Sequence, residues 1–424
     1  MKPLVQKLRL LSRALVIFYL LVQTALHYAA GWCWLRLGGR SLSERQAFFG
    51  ACVLELFRRL GATFIKVGQI MSTRPDLLPP YVITALSRLQ DDVGPFSFAL
   101  VRQTLEQDFG RPLAELFAEF QVEPIASASV AQVHKARLPG GELVAVKVRR
   151  PDIEDLCAFD LGVMRIYAAI LELIPSLRLL APVDSVNQFG RAIHMQLDFT
   201  IEARNNHRFR KNFAADPEII IPRLYEALCS RRVLVMEFID GVKILDFKRS
   251  GAEPRRLGKL GFRLMLQMVF ADGFVHADLH PGNILVTPEG KVALLDLGLV
   301  AELDDLHRSI FARYFAAWAS GDGQTMADIM VSHSPVPSVN NHEKFRAAIQ
   351  EFVDRLHGKR LNEVEVASVV YEMLQILRRH RVRVNATFTM VNIAIAVTEG
   401  IGKQLDPTLD LLAEATPFFA GLQY

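Results

Sequence analysis

The stretch His276-Ala277-Asp278-Leu279-His280-Pro281-Gly282-Asn283 is the most specific signal in the chain, and Asp296-Leu297-Gly298 follows it. An aspartate, then an amide, then a second aspartate after a hairpin form the arrangement that phosphotransfer requires. We expect Asp278 to orient or deprotonate an attacking hydroxyl, and Asn283 and Asp296 to bind Mg²⁺ on nucleotide phosphates. The alternative, a set of polar residues in an ordinary turn, does not account for their order and spacing.

Two short apolar runs, Ile284–Val286 and Val292–Leu294, separate Asn283 from Asp296 and flank the turn Thr287-Pro288-Glu289-Gly290. Apolar runs divided by a turn that contains proline and glycine predict a β-hairpin. A hairpin of this length sets the separation of Asn283 and Asp296. Apolar neighbours on both sides indicate that buried elements carry these polar groups.

A second hairpin is predicted upstream, where Pro139-Gly140-Gly141 separates Val130–Leu138 from Leu143–Val148. The second of these strands contains Lys147 among valines and an alanine. A kinase-like fold needs a strand lysine to neutralise the α- and β-phosphates, and a glutamate on a helix to hold that lysine. The alternative, from this stretch alone, is a surface lysine with its stem on an apolar strand.

The segment before this hairpin, Ala126-Ser127-Ala128-Ser129-Val130, lies where a protein kinase carries its glycine-rich phosphate loop. Glycine gives such a loop conformational freedom and lets backbone N–H groups approach phosphate. Alanine and serine remove much of that freedom, so we predict a more rigid loop that binds nucleotide differently. The alternative is a small-residue turn that binds no ligand.

Composition limits the classes to which the chain can belong. Its 424 residues are 51% apolar and 22% charged, with a mean hydropathy of +0.20, which excludes intrinsic disorder. A net charge of +4 is too small to indicate a nucleic-acid partner. The four cysteines are far apart in sequence, which argues against a disulfide framework or zinc site and favours a reducing compartment.

Residues 14–35 contain no formally charged side chain. A helix of that length reaches about 33 Å, enough to cross the hydrocarbon core of a bilayer. Basic residues flank it on both sides, and Tyr28, Trp32 and Trp34 gather near one end, as at a lipid interface. Three interpretations remain open: a helix in or on a membrane, a soluble packing helix, and a signal peptide.

Periodicity predicts helices over 41–120, strands over the Lys147 region, helices over 152–213, two further strands at Ile219–Ile221 and Val233–Ile239, and a mostly helical remainder. Prolines at Arg74-Pro75-Asp76, Leu78-Pro79-Pro80, Pro175 and Pro182 are predicted helix breaks. The fold class is therefore α+β. We divide the chain into an apolar helix (1–40), a helical extension (41–120), a small strand-rich lobe (121–240) and a large helical lobe (241–424).

These motifs, together with Lys66-Val67-Gly68-Gln69 and the segment Gln196–Asn205, resemble those of the UbiB/AarF family of atypical, protein-kinase-like proteins. That family is associated with ubiquinone and other prenylquinones. The resemblance runs from about residue 45 to about residue 415, and the motifs occur in the family's order. It implies a bilobal protein-kinase-like fold with an N-terminal helical extension, and use of ATP or ADP with Mg²⁺.

The resemblance also implies roles for individual residues. Lys147 and Glu202 would be the strand lysine and its helix partner, and Glu237 and Phe238, with Met236 before them, would form the hinge that holds adenine. Lys66 and Gln69 would lie on an extension that folds over the active site, with Asp198 nearby. Where the family has a second glutamate, this chain has Gln196, which removes one ion pair expected for Lys66. Without the resemblance, Lys66 would be interpreted as a surface lysine of a helix.

Two absences favour a substrate that is not a protein. Ala277 replaces the arginine that binds a phosphorylated activation loop in typical protein kinases, and no Ala-Pro-Glu follows Asp296. ATP hydrolysis, or phosphorylation of a small or lipid-like molecule, fits better.

The sequence therefore predicts an atypical kinase or ATPase that supports prenylquinone biosynthesis on the cytoplasmic face of a membrane, as a single-pass or peripheral protein. Its expected partners are nucleotide, a lipid or prenylquinone precursor, an anionic membrane surface and other quinone-biosynthesis proteins, and no nucleic acid. The alternatives are a small-molecule kinase of the aminoglycoside or choline kinase type, and a nucleotide-gated scaffold.

Overall fold

The computed structural model describes residues 2–72, 78–89, 94–174, 182–334, 339, 341–356, 366–382, 386–406 and 408. The predicted breaks at Arg74-Pro75-Asp76 and Pro175 lie outside these residues. The chain divides into two compact units. Unit one comprises Met1–Ala203 and Arg223–Phe238, and unit two comprises Arg204–Pro222 and Ile239–Tyr424. The four-segment division made from the sequence stays a prediction.

The described helices, in chain order, are α1 (Lys2–Leu37), α2 (Leu42–Leu60), α3 (Ala62–Ser72), α4 (Pro80–Leu86), α5 (Phe98–Phe109), α6 (Leu113–Leu116), α7 (Ile153–Glu172), α8 (Pro182–Leu197), α9 (Phe199–Asn212), α10 (Pro254–Leu266), α11 (Asp305–Ala319), α12 (Gly323–Ser332), α13 (His342–Leu356), α14 (Val366–Arg379) and α15 (Ala386–Leu405). The described strands are β1 (Glu119–Phe120), β2 (Ala126–Ser127), β3 (Ala131–Arg137), β4 (Leu143–Arg149), β5 (Ile219–Ile220), β6 (Val233–Glu237), β7 (Val242–Lys243), β8 (Phe274–His276), β9 (Ile284–Val286), β10 (Val292–Leu294) and β11 (Val300–Glu302). The α+β fold class predicted from the sequence is confirmed.

Unit one is built around an antiparallel sheet in the order β1-β3-β4-β6, with β2 also paired to β3. Strands β3 and β4 pair along their full length, from Ala131 opposite Arg149 to Arg137 opposite Leu143. Gly141 has a φ of +96°, a conformation that glycine adopts without strain, and it closes the turn between these strands. The hairpin predicted at Pro139-Gly140-Gly141 is confirmed.

Both faces of this sheet are buried. On one face, valines of β4 and β6 such as Val146 and Val235 pack with Val101 and Leu105 of α5. On the other face, Leu234 and Met236 join a cluster that includes residues of α7, α8 and α9. A strand that is covered on both sides reads as a near-continuous apolar run, and a lysine within β4 is therefore an exception that needs a partner.

Helix α1 lies beside α2 and α7 within unit one. Ile17 and Leu20 are buried against these helices, in a cluster that also contains Leu60 and Val163. The helices approach closely at Gly31, where an added Cβ would lie 2.3 Å from the ring of Phe48. One stripe of α1 therefore behaves as a packing helix.

The other faces of α1 are exposed and apolar. These faces are the feature for which the sequence indicated a membrane helix. The large exposed side chains are Leu11, Leu15, Val16, Phe18, Tyr19, Val22, Leu26, Trp34 and Leu37. By length and composition, Leu11–Leu37 is the one span among the described residues that could cross a membrane. The packing and membrane interpretations thus describe different faces of the same helix.

An ion pair at the start of the apolar segment fastens α1 to α7. Arg13 Nε donates to Asp160 Oδ1 at 2.6 Å, and Arg13 Nη2 donates to Asp160 Oδ2 at 3.0 Å and to the carbonyl of Leu60. The Asp160 side chain is fully buried. A bidentate pair of this kind fixes the orientation of the helix that carries the arginine.

Unit two contains a four-stranded sheet in the order β5-β10-β9-β7, in which β5 and β10 are parallel, and a two-stranded sheet of β8 and β11. Its core includes Phe274, Val286 and Leu294 from these strands, together with side chains of α10 and α15. The hairpin β9–β10 has the predicted bounds.

Several predicted boundaries differ from the structure. Val233–Ile239 is shorter than predicted, because β6 ends at Glu237, and Ile219–Ile221 is reduced to two residues. Pro182 begins α8 rather than interrupting a helix, in the position where a missing N–H has no cost. Strand β11 was missed, because three residues show no readable alternation and only pairing with β8 defines them.

The Arg13–Asp160 pair gives a direct test of the docking of α1. Arg13→Met should lower the free energy of unfolding of unit one by about 3 to 5 kcal/mol, because it leaves a buried carboxylate without its partner. The measurement is urea denaturation together with proteolysis within residues 2–37. The double variant Arg13→Met with Asp160→Leu is the control and should recover most of the loss, since an apolar pair replaces the ions. Equal urea midpoints of unfolding for the parent and Arg13→Met would contradict the stabilising role of the Arg13–Asp160 pair.

Candidate functional site

Lys147 of β4 and Glu202 of α9 form a buried ion pair in unit one. The Nζ atom lies 2.8 Å from Glu202 Oε2 and 3.0 Å from Oε1, and the two side chains are 10% and 5% exposed. The ring of Phe199 lies 5.2 Å from the same ammonium group. The alternative of a surface lysine is wrong, because this side chain is held by two carboxylate oxygens inside the unit.

The start of α9 is held by Asp198. Its Oδ1 accepts hydrogen bonds from the backbone N–H and hydroxyl of Thr200, as an N-cap residue does, and its Oδ2 binds Arg231 Nε at 3.1 Å. Burial acts to raise the pKa of Asp198, but the hydrogen bonds and the Arg231 charge outweigh it and bring the pKa below its ordinary value. Asp198 thus orients the helix turn that carries Glu202, while its proximity to Lys66 stays a prediction.

Lys66 and Gln69 lie on α3, and Lys66 is buried. The alternative of a surface lysine is therefore wrong for Lys66 as well. Gln69 Nε2 donates to the carbonyl of Leu89 at 3.1 Å. An added Cβ at Gly68 would lie 2.3 Å from a methyl group of Leu89, so the close packing at this position requires glycine. At the position where the family has a glutamate, the buried Gln196 Oε1 has no hydrogen-bond partner among the described residues.

The alanine-rich segment is a tight hairpin rather than an open loop. Ala126 and Ser127 pair with Val133 and Gln132 of β3, and the N–H of Ala128 donates to the carbonyl of Ala131 at 2.8 Å. Ser129 is fully buried and Val130 is nearly so. The segment is thus tied into the sheet by its own backbone, while its contact with nucleotide stays a prediction.

Glu237 and Phe238 stand at the end of β6. The N–H of Glu237 donates to Arg223 O at 2.8 Å, and the N–H of Phe238 donates to Leu143 O at 3.1 Å. Both backbone donors are therefore already used within unit one. Their role as the adenine hinge stays a prediction.

In unit two, His276 is completely buried and connects the two chain segments that carry aspartates. Its Nε2 lies 3.1 Å from Leu295 O, and its Nδ1 lies 3.2 Å from the N–H of Asp278. Nδ1 must accept from this N–H, so Nε2 carries the proton and donates to Leu295. Burial lowers the pKa of His276, which keeps the ring neutral and preserves this arrangement.

Asn283 braces the backbone on both sides of the motif. Its side-chain Nδ2 donates to the backbone carbonyl of Asp278 at 3.0 Å, and its backbone carbonyl accepts from the N–H of Leu295 at 2.9 Å. The amide nitrogen is therefore occupied, and the side-chain oxygen Oδ1 is the atom that Asn283 offers to a cation. Asp296 has a φ of +53°, a conformation rare for residues other than glycine and typical of functional turns.

Asn205 makes a contact beside Asp296 that sequence reasoning missed. Its Nδ2 donates to the carbonyl of Leu297 at 2.7 Å, and its side chain is buried. It therefore fixes the turn immediately after Asp296. The signal was its place in the Gln196–Asn205 motif, but no sequence pattern shows which backbone group an amide will bind.

These residues fit a magnesium ion carried by a nucleotide. Among the described residues, no group of three or more His, Cys, Asp or Glu side chains is placed to hold a metal ion. One amide oxygen and one carboxylate suit an ion whose other ligands are phosphate oxygens and water, which is the usual Mg²⁺ environment.

Comparison with known proteins identifies the family. The ABC1 atypical kinase-like domain matches residues 88–330, and the UbiB helical domain matches residues 349–410. The chain belongs to the UbiB family of ABC1 atypical kinase-like proteins. The family assignment made from the motifs is thereby confirmed.

Among curated relatives, the chain is similar to the probable protein kinase UbiB of Pseudomonas fluorescens, with 35% identity over 93% of this chain and 74% of the relative. It is 36% identical to the UbiB of Sodalis glossinidius over 91% of this chain and 73% of the relative. For the UbiB of Marinobacter nauticus the identity is 38% over 85% and 67%.

A solved structure supports the fold. The chain is similar to Mycobacterium tuberculosis Rv3197, solved in complex with erythromycin, with a TM-score of 0.55 and 23% identity. The match covers 82% of this chain and 90% of Rv3197. At this identity the likeness shows the kinase-like fold alone, and the predicted kinase-like fold is confirmed.

A half-buried aspartate before the motif should make the stability of this UbiB-family chain depend on pH. Asp272 Oδ2 is buried without a hydrogen-bond partner among the described residues, and burial raises the pKa of Asp272 to about 6, against the opposing effects of Gln267, Arg208 and Arg308. The folded state then binds this proton more tightly than the unfolded state, whose pKa is about 3.9. The stabilisation is complete below about pH 4 and is lost as the pH rises through about 6.

Asp272→Asn should therefore unfold at a higher urea concentration than the parent at pH 7.5, and the difference should shrink as the pH falls to 4.5. The measurement is a series of denaturation curves across this range. Asp304→Asn is the control, because Asp304 is an exposed N-cap of α11. A difference between Asp272→Asn and the parent that does not change with pH would contradict the prediction.

Proposed function

We propose that this UbiB-family chain binds Mg-ATP and acts as an atypical kinase or ATPase that supports ubiquinone or related prenylquinone biosynthesis. The phosphoacceptor is a small or lipid-like molecule rather than a protein. The observation that carries the proposal is the buried, two-oxygen ion pair of Lys147 with Glu202.

The physical argument starts from the cost of burying charge. A buried ion pair is rarely more stable than two well-packed apolar side chains of similar volume, so stability alone does not account for it. A lysine fixed by a carboxylate is, however, what nucleotide phosphates need, because it presents positive charge at a fixed point. Lys147 on a strand with Glu202 on a helix matches this requirement.

The unit-two residues supply the complementary chemistry. Asn283 Oδ1 and the carboxylate of Asp296 are the proposed Mg²⁺ ligands, and Asp278 is the proposed base or water-orienting group. The backbone of Asp278 is held at its N–H by His276 and at its carbonyl by Asn283, so the position of its carboxylate is set before substrate binds. When bound, Mg-ATP supplies the phosphoryl group, and the chain supplies position and charge.

A protein substrate is disfavoured by the short connection after Asp296. Strand β11 begins at Val300 and α11 begins at Asp305, which leaves little chain for an activation segment or a peptide-docking platform. Ala277 also cannot pair with a phosphorylated residue. A small or lipid-like acceptor fits these features better.

The carboxylate of Asp296 provides the direct test. Asp296→Asn preserves the local conformation, because asparagine also tolerates positive φ, but it removes the negative charge from the proposed metal ligand. We expect the Mg²⁺-dependent affinity for ATP to fall by about tenfold or more, measured by calorimetry with and without Mg²⁺.

Two controls accompany this variant. Asp304→Asn changes the exposed N-cap aspartate of α11 in the same chemical way and should leave ATP binding unchanged. Undiminished thermal stabilisation of Asp296→Asn by Mg-ATP would contradict the metal assignment. Mg-ATP binding without any turnover in the parent would instead favour the alternative of a nucleotide-gated scaffold.

The exposed face of α1 is the proposed contact with an anionic membrane surface. A stripe of α1 packs on α2, whose sequence carries Glu44, Arg45, Glu55, Arg58 and Arg59. A helix held along such a charged neighbour suits the plane of the interface better than the bilayer core. Exposed Ile166 and Ile170 of α7, and Leu173 immediately after this helix, add further apolar surface to unit one.

If the exposed face of α1 makes this contact, the full chain should float with vesicles that contain anionic lipid. The double substitution Phe18→Ser with Leu26→Ser should reduce the bound fraction by about tenfold or more, because each large apolar side chain contributes about 1.5 to 3 kcal/mol on burial. Leu306→Ser is the matched control, since Leu306 is equally exposed but lies on α11. ATP turnover should rise with vesicles for the parent and not for the double variant.

Flotation of the double variant at the parent level would show that the lipid contact lies elsewhere. Vesicles of neutral lipid separate the two contributions, because they retain the apolar contact and remove the attraction of Arg36 and other basic residues.

A further inference from the structure

Helix α7 directs its charged side chains to neighbouring helices and its apolar side chains to solvent. After the first turn it carries three charged residues, Asp160, Arg165 and Glu172, and each one binds another helix. Asp160 binds α1, as described above. Arg165 Nε donates to Asn187 Oδ1 of α8 at 2.9 Å, and Glu172 Oε1 accepts from the N–H of Val183 of α8 at 3.2 Å. This distribution is the reverse of that on a surface helix of a soluble protein.

The solvent-facing side of α7 is apolar over its last two turns and just beyond. Ile166 and Ile170 are 60% and 53% exposed, and Leu173, immediately after the helix, is 81% exposed. Val163, three residues before Ile166, is buried in the cluster that contains Ile17 of α1. Residues three or four apart are neighbours on a helix surface, so the exposed residues continue the side by which α7 packs on α1. The apolar side of α7 therefore adjoins a helix whose own outer faces are apolar.

Helices α7 and α8 form an antiparallel pair. Arg165 binds Asn187, and Glu172, one turn and a half further along α7, binds Val183, which lies earlier in α8. Because α7 has 20 residues, the pair reaches about 30 Å from its base to its tip near Leu173.

The base of this pair is tied to the strand that carries Lys147. Arg149, two residues after Lys147, donates from Nη1 to the backbone carbonyl of Leu197 at 2.6 Å, and its Nη2 lies 2.9 Å from Glu154 Oε2. Arg149 thus joins the first turn of α7 and the last residue of α8 to β4. Asp198, which follows Leu197, starts the helix whose carboxylate holds Lys147.

We propose that the apolar side of α7 is a second lipid contact, and that the α7–α8 pair transmits lipid binding from its tip to the ion pair of Lys147 with Glu202. An effect on ATP turnover rests on the proposed function, whereas the lipid contact and its transmission do not. A ligand shifts a conformational equilibrium by its differential affinity for the two states. Lipid has such a difference here, because it binds only those positions of the pair in which the tip reaches the membrane surface.

Lipid is the occupant that the composition of this surface favours. A protein interface has an apolar centre within a polar rim and carries hydrogen-bonding groups. The exposed side chains on this side of α7 are Ile166, Ala169, Ile170 and Leu173, none of which has a polar atom. Such a surface suits the boundary between lipid headgroups and acyl chains. It also adjoins α1, which contains the described span that is long and apolar enough to cross a membrane.

The first measurement is amide hydrogen exchange of the nucleotide-free full chain, read on peptides that cover residues 196–203, with and without vesicles that contain anionic lipid. Vesicles should slow exchange there by about threefold or more in the parent, since a pair held at its tip as well as its base opens less often. Ile170→Ser with Leu173→Ser should lose this protection, at a lipid concentration at which flotation shows that the variant is bound through α1. Val122→Ser with Leu306→Ser is the matched control and should keep it, because both residues are exposed and apolar but lie outside α1 and α7.

The second measurement tests the transmission through Arg149. Arg149→Lys keeps the charge, but lysine lacks the planar fork that binds Leu197 and Glu154 together. This variant should float with vesicles as the parent does, and lose the protection of 196–203. Glu154→Gln removes one of the two contacts and serves as a second variant if Arg149→Lys does not fold. Arg137→Lys is the matched control, because Arg137 lies at the far end of β3, and it should keep the protection.

The third measurement is the ratio of ATP turnover with vesicles to turnover without them. This ratio should be about threefold or more for the parent and fall to about one for Ile170→Ser with Leu173→Ser and for Arg149→Lys, because neither variant passes lipid binding to the ion pair. Turnover without vesicles should be unchanged in the α7 variant, since its two residues lie outside the candidate site. If the parent hydrolysed no ATP, the proposed function would fail, and the exchange measurements would still decide the lipid contact and its transmission.

Exchange at 196–203 that does not respond to vesicles in the parent would overturn the transmission. A full response in Ile170→Ser with Leu173→Ser would overturn the lipid contact, and a full response in folded Arg149→Lys or Glu154→Gln would overturn the route through Arg149. Self-association of the parent in sedimentation that Ile170→Ser with Leu173→Ser abolishes, without any effect of vesicles, would overturn the lipid assignment in favour of a second copy of this chain.

Discussion

The ion pair of Lys147 with Glu202 is the constraint around which unit one is organised. A strand covered by apolar side chains on both faces cannot carry an ammonium group unless a partner meets it inside, because an unpaired buried charge is prohibitively unfavourable. Helix α9 must therefore present Glu202 at one point of β4. Asp198 caps the start of that helix and binds Arg231, so the approach of the carboxylate is itself fixed.

In unit two, the same task of fixing polar groups is performed by backbone hydrogen bonds. His276 and Asn283 each join the Asp278 segment to the end of the β9–β10 hairpin, where Leu295 supplies a carbonyl to one and an N–H to the other. The side chains of the motif are therefore divided between structure and chemistry. His276 and the amide nitrogen of Asn283 hold the backbone, whereas the carboxylates of Asp278 and Asp296 and the amide oxygen of Asn283 are the groups proposed to act on nucleotide and metal.

Helix α1 has two faces of different character. The Arg13–Asp160 pair and the close approach at Gly31 hold one stripe on the protein, while the rest of the surface is apolar and exposed. Hydropathy averages over these faces, and for this reason it could not separate a packing helix from a membrane helix. The charged sequence of α2 beside α1 supports a position in the interface, because α2 would have to follow α1 into any bilayer that α1 crossed.

The sequence by itself determined the family, the α+β class, both hairpins and the motif residues, because each rests on local patterns: alternation, turn chemistry and short-range spacing. Strand β11 and the exact ends of β5 and β6 depended on partners far along the chain, which no local pattern encodes. The pairing of Lys147 with Glu202 followed from resemblance, and its burial came from the structure. The contacts of Asn205 and Asp160 were decided by tertiary structure alone, since a polar side chain is identified as structural only when the backbone group or ion that it meets is known.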